Sequence, residues 1–179
     1  QLPSHISIRE LQDLRFNIGK VQIEAYFANH PGICVGYRLF TEEGSLAFFP
    51  DNEPHCRHRG TTAVAPTKSQ RSLDFARAEE QKVIEFLRGV DVLILDTQYD
   101  ADEYEKYMGW GHGCVNDAVR LALQASVKQL FLFHHDPEHD DAKLEAMVQF
   151  DAERLSRIAA WPVDVLRDRP GGNVIGFVM

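Results

Sequence analysis

With 179 residues, 44% of them hydrophobic, the chain can bury the core of one ordinary domain, and residues 1–179 read as a single unit. A formal net charge of −8 argues against a generic nucleic-acid surface, which needs a basic field to gather phosphates, but leaves open a small anionic ligand held by local charge. Three cysteines, Cys34, Cys56 and Cys114, form an odd count without paired spacing, so a disulfide framework is not expected and a reduced cytoplasmic setting fits. The apolar runs are far shorter than a membrane span, and no charged start followed by an apolar stretch suggests a signal peptide. Gln1 in place of a starting Met marks the chain as processed, truncated or part of a larger product.

After an opening that reads as a connector, Val21 to Ala28 alternates partly, the signal of a strand. Ile33 to Phe40 and Ser45 to Phe49 are two more strands, and TEEG at Thr41 to Gly44 between them suits a hairpin loop. The first third is therefore expected to be antiparallel β. Asp51 to Arg71 shows no period and reads as a long loop, functional or mobile. Ser72 can cap a helix through Val83, Ile84 and Leu87 that stops near Gly89. Val92 to Leu95 is then a buried strand ending in Asp96, followed by a polar patch from Gln98 to Gly113 and a helix over Val115 to Ala125.

The run from Leu130 to Asp141, LFLFHHDPEHDD, changes abruptly from apolar residues to histidines and carboxylates, which packing does not explain. Leu130 to Phe133 suits a strand buried on both faces, and crevices at the carboxyl ends of such strands are where α/β proteins place their chemistry. His139, in the turn beyond, is expected to face water. A last long helix is expected over about Asp141 to Ala160, with closing strands at Val163 to Leu166 and Val174 to Val178. Strand, helix, strand, helix, strand in the second half implies parallel pairing.

His30, Asp51, Asp96, His112 and His134 thus stand just beyond apolar strands or at the mouth of a helix. Imidazole nitrogen and carboxylate oxygen are ligands that Zn²⁺ or Mn²⁺ accept, and the mixture suits hydrolysis. Two ligands from one loop, such as Cys56 with His58 or Cys114 with His112, are too few for a separate zinc site.

The segments NHPGICVGYRLF, FFPDNEP, VLILDTQY, GWGHGCVNDAVRLA and LFLFHHDP, in this order over about Asn29 to Pro137, resemble the second half of a metallo-β-lactamase-fold hydrolase of the ribonuclease Z and phosphodiesterase branch. The resemblance implies an α/β fold with a mixed sheet, the C-terminal half of an αββα sandwich. It implies two divalent metal ions, Zn or Mn, with His30 and His134 each binding one and Asp51 bridging them. His134 is preferred over His135 because the family's ligand directly follows the apolar strand. His112 would face the scissile phosphate and Asp96 would orient it. The family's upstream H-x-H-x-D-H motif does not occur in these 179 residues. The missing half is therefore expected as a partner, either the upstream half of the same domain or a second copy, and the isolated chain is expected to be inactive without it.

The leading reading is one part of a metal-dependent phosphodiesterase. Alternatives are another hydrolase of the same fold, acting on thioesters, lactones or β-lactams, and a non-catalytic binding remnant. His112 separates them, because GWGHG has no obvious task in the other branches. Tyr104, Tyr107, Met108 and Trp110 could wall a pocket for a flat group, and Arg57, Arg59 and Arg71 could meet phosphate oxygens. The acidic balance favours a small phosphodiester, such as a cyclic nucleotide, over folded RNA.

Overall fold

A computed structural model describes residue 8 and residues 10–56, 70–148, 164–167 and 175–178. The described strands form one mixed sheet in the order β1-β2-β3-β4-β5-β6-β8-β7. Strands β1 (Arg15–Ile18), β2 (Val21–Phe27), β3 (Val35–Phe40) and β4 (Ser45–Phe49) are an antiparallel meander, of which the alternation and the TEEG turn predict the last three. β4, β5 (Val92–Asp96) and β6 (Gln129–Phe133) are neighbours and parallel. β7 (Asp164–Arg167) and β8 (Ile175–Val178) close the sheet in antiparallel sense.

The connector expected at the start contains β1. Its four residues, RFNI, alternate polar and apolar over too short a stretch to stand out as a strand and are mostly exposed, so its strand conformation comes from its pairing with β2 and is reinforced by the Arg15–Glu24 ion pair. The first helix, α1 (Gln70–Leu87), begins two residues before Ser72. A short helix, α2 (Ala101–Tyr104), lies inside the polar patch, started by a capping box between Asp100 and Glu103. α3 (Val115–Gln124) follows, and α4 covers 141–148, where Asp140 accepts from the Lys143 N–H at 2.8 Å. The rest of the helix expected to Ala160 lies outside the described residues.

One face of the parallel strands carries the core. Ala47, Phe49, Leu93, Leu95, Leu130 and Leu132 stand in register and are covered by Val83, Ile84 and Leu87 of α1 and Ala118, Val119, Leu121 and Ala122 of α3. Both helices lie on this face because each crossover returns to a parallel strand with the same hand. Arg120 of α3 ties the pair together, donating to Glu80 of α1 at 3.1 Å, to Asp117 at 3.0 Å and to the Cys56 carbonyl at 3.0 Å.

On the other face, Leu46, Phe48, Val92, Ile94 and Phe131 are half-buried and Phe133 is exposed. This apolar surface adjoins Tyr37 and Leu39 of β3 through the same register. Ile23 and Ala25, in register with Leu39 and Tyr37, are already buried.

Candidate metal centre

The parallel trio places three ligand-type side chains side by side. Asp51 lies two residues past β4, Asp96 is the last residue of β5, and His134 immediately follows β6. His112 reaches the same point from the loop that opens α3. One ligand atom from each of Asp51, Asp96, His112 and His134 lies within 4.8 Å of every other. Four oxygen and nitrogen donors at that separation fit a first-row divalent ion.

Asp96 organises the cluster. Its carboxylate is 1% exposed and accepts from the Asn52 N–H at 3.2 Å, the Gln98 N–H at 3.1 Å and His112 Nδ1 at 2.7 Å. A carboxylate can only accept, so His112 carries its proton on Nδ1 and leaves Nε2 for chemistry. His134 Nδ1 donates to the Pro50 carbonyl at 2.8 Å, and the same nitrogen lies 3.1 Å from Asp51 and 3.7 Å from Asp96. The Asp96 carboxylate, the Pro50 carbonyl and the Asp51 charge together favour the imidazolium over the opposing effect of burial, and push the His134 pKa up to about 9. Coordination by this imidazole therefore requires it to give up a proton. Cys34 Sγ lies 3.6 Å from Asp51 Oδ2, and burial together with that carboxylate pushes the thiol pKa up.

His30 sits beside this group but is not one of its four members. Its ring centroid is 5.7 Å from that of His112, edge to face. Its Nδ1 accepts from the Gly32 N–H at 3.0 Å, so its proton sits on Nε2, the reverse of His112. His134, and not His135, belongs to the group. His139, expected in water, instead packs inward and pairs Nε2 with Glu103 at 3.1 Å, because α2 brings that carboxylate across the turn.

The polar patch becomes an ordered loop. Tyr99 and Tyr107 stack at 4.7 Å between centroids, Tyr107 meets Trp110 edge to face at 5.2 Å, and Trp110 remains 61% exposed two residues before His112. Tyr104 is buried in a cluster with Tyr99 and Cys114. Arg57 and Arg59 lie outside the described residues, and Arg71 is exposed on α1.

Two buried groups escape a reading of the sequence. Asn52 accepts from the Asn29 N–H at 3.2 Å, and Glu53, 3% exposed, binds the loop before His112. Their only signal in the sequence is polar residues directly following a buried strand.

No family model matches the chain. Curated relatives named ribonuclease Z match part of it. The one from Saccharolobus solfataricus is 44% identical over 61 residues, which is 34% of this chain and 20% of the relative. The one from Thermoplasma acidophilum is 34% identical over 91 residues, 49% of this chain and 30% of the relative. Among solved structures, the metallo-β-lactamase fold protein YhfI from Bacillus subtilis gives a TM-score of 0.56 at 18% identity, over 80% of this chain and 48% of that one. The matches thus span less than a third of the curated relatives and about half of the solved structure, and the fold is that of part of a metallo-β-lactamase-like domain.

Proposed function

We propose that this chain is the C-terminal part of a metal-dependent phosphodiesterase that cleaves a small phosphodiester, cyclic-nucleotide-like in size. The observation that carries the reading is the convergence of Asp51, Asp96, His112 and His134 at the carboxyl ends of three adjacent parallel strands. The partial matches to proteins named ribonuclease Z support a phosphodiester bond, and the net charge of −8 favours a small substrate over a folded nucleic acid.

In this reading Asp51 and His134 are metal ligands, and His30 would join them once its Nδ1 releases the Gly32 amide, or once the ring takes the other tautomer, with its proton on Nδ1 and Nε2 free. Two divalent ions, Zn or Mn, would supply an activated water and charge stabilisation on the phosphoryl oxygens. Asp96 fixes the His112 ring through Nδ1, and in the imidazolium form Nε2 also carries a proton and can offer it to the phosphoryl or leaving oxygen. The exposed Trp110 ring, backed edge to face by Tyr107, offers a stacking surface for the substrate's planar group, with Arg57 as a phosphate contact. The half-exposed apolar face of the sheet receives the missing half of the domain, supplied by the upstream part of the product or by a second copy.

The test compares two variants of the protein paired with its other half. His112→Ala should lower turnover of an aryl phosphodiester and keep the bound metal, whereas Asp51→Ala should lose metal. Loss of metal in both would overturn the assignment of roles, and turnover of a thioester or lactone in place of the phosphodiester would move the protein to another branch of chemistry.

A further inference from the structure

We infer that Glu53 is a positioning residue that sets where His112 stands, and with it the exposed Trp110. The catalytic consequence rests on the proposal that His112 faces the substrate; the structural claim does not.

Glu53 is two residues beyond Asp51, and its carboxylate is almost wholly buried. Burying a carboxylate is costly unless it accepts several hydrogen bonds. Here Oε1 accepts from Tyr104 Oη at 2.9 Å and from the Gly109 N–H at 2.9 Å, while Oε2 accepts from Gly109 at 3.0 Å and from the Gly111 N–H at 3.1 Å. All these donors lie between the end of α2 and Gly111, the residue before His112. Two backbone amides turned toward one anion form a nest, and that turn requires unusual dihedral angles. Gly109 and Gly111 have φ of +91° and +97°, a region that other residues enter only with strain. Between them Trp110 points outward and the following His112 points at Asp96.

The loop has little room on its other sides. A Cβ at Gly111 would stand 2.1 Å from His30 Cδ2 and 2.6 Å from Pro31 Cδ, and one at Gly113 would stand 2.9 Å from the Asp96 carbonyl oxygen. The backbone of Glu53 binds the other histidine-bearing loop as well, donating to the Asn29 carbonyl at 2.9 Å and accepting from Asn29 Nδ2 at 3.0 Å. One residue therefore ties the loops of His30 and His112 to the segment that carries Asp51. Its side chain touches neither histidine, so it acts by placing them.

The experiment uses Glu53→Gln in the full chain. Glutamine keeps the shape and one acceptor oxygen, but its amide group faces backbone donors. Backbone amide exchange should accelerate over residues 104–112 by roughly tenfold or more, as local opening becomes easier, while α3 keeps its protection. The downfield Nδ1–H resonance of His112, held by Asp96, should broaden or shift, while that of His134, held by Pro50, stays in place. In the assembled enzyme kcat for the aryl phosphodiester should fall by roughly tenfold to a hundredfold, as small misplacements of a positioned group do, with KM and metal content little changed. Unchanged exchange and an unchanged His112 resonance would overturn the inference, as would a uniform rise in exchange that includes α3. If the wild-type enzyme turns over no phosphodiester, the functional proposal fails while the exchange and resonance measurements still decide the role of Glu53. Should Glu53→Gln not fold, Tyr104→Phe removes one donor and leaves the carboxylate; it should give the same local changes at smaller size, and their absence would equally refute the claim.

Discussion

Replacing Asp96 should be costly before any chemistry is considered. Asp96→Ala removes the acceptor of two backbone amides, Asn52 at 3.2 Å and Gln98 at 3.1 Å, and of the His112 imidazole at 2.7 Å. Asn52 is buried and Asp96 sits at the floor of the crevice, so water replaces these bonds poorly. At about 1–3 kcal/mol for each orphaned donor, the two amides alone predict a loss of about 2–6 kcal/mol. That is a large fraction of a typical stability of roughly 5–15 kcal/mol. Asp96→Asn keeps one acceptor oxygen for Asn52 and His112 but turns an NH₂ toward the Gln98 amide. One donor is then unpaired, and the predicted cost is about 1–3 kcal/mol. Urea unfolding of the metal-free protein measures both, and an unchanged m-value would confirm that the same surface is being exposed. The ordering Ala worse than Asn worse than wild type is the critical result. An Asp96→Ala protein within about 1 kcal/mol of wild type would show that these bonds are satisfied otherwise, and the account of Asp96 as organiser would fail.

Asp91 joins the starts of three strands, accepting from the Ser45 N–H at 2.7 Å, from Ser45 Oγ at 2.9 Å and from Lys128. The Lys128 hydrogen bond first, and those from Ser45 next, hold its pKa well below the usual carboxylate range. A depressed folded-state pKa contributes stability that is present above the unfolded value of about 4 and is lost as pH falls through the folded value, so the deficit of Asp91→Asn should shrink below about pH 4. Equal deficits in urea midpoint at neutral and strongly acid pH would refute this. The apolar face around Phe48, Ile94 and Phe131 predicts that residues 1–179 alone are poorly soluble or self-associate, since each uncovered large side chain forgoes about 1.5–3 kcal/mol of burial. Mass in solution and thermal unfolding test it: Phe48→Glu should shift the chain toward monomer, and a monodisperse wild-type monomer with a sharp transition would overturn the half-domain reading.

The parallel centre of the fold is legible in the sequence because buried strands such as VLIL and LFLF are short apolar runs that end in a charged residue. The same break in hydropathy marks Asp51, Asp96 and His134, so most of the cluster can be found without coordinates. β1 and α2 cannot, because β1 is four residues long and buries none of them fully, and α2 is a single turn whose start depends on one capping box. Glu53 is invisible for a different reason. Its partners are 51 to 58 residues away, and a glutamate between two other polar positions and a proline reads as solvated loop until the chain is folded. His139 misleads in the same way, since only the approach of Glu103 turns it inward.

His134 adopts φ of 59°, in the left-handed region that a side chain with a Cβ enters at a cost of about 1–2 kcal/mol. Asparagine, and above all glycine, would occupy that position with less strain, though neither can restore the imidazole's reach toward Asp51. Folding and chemistry therefore pull this position in opposite directions. In any lineage where the cluster ceased to matter, relaxation at 134 would be among the changes that selection for folding alone favours. A descendant carrying glycine or asparagine there, with the aspartates intact, would keep the fold and lose one of the four members of the cluster.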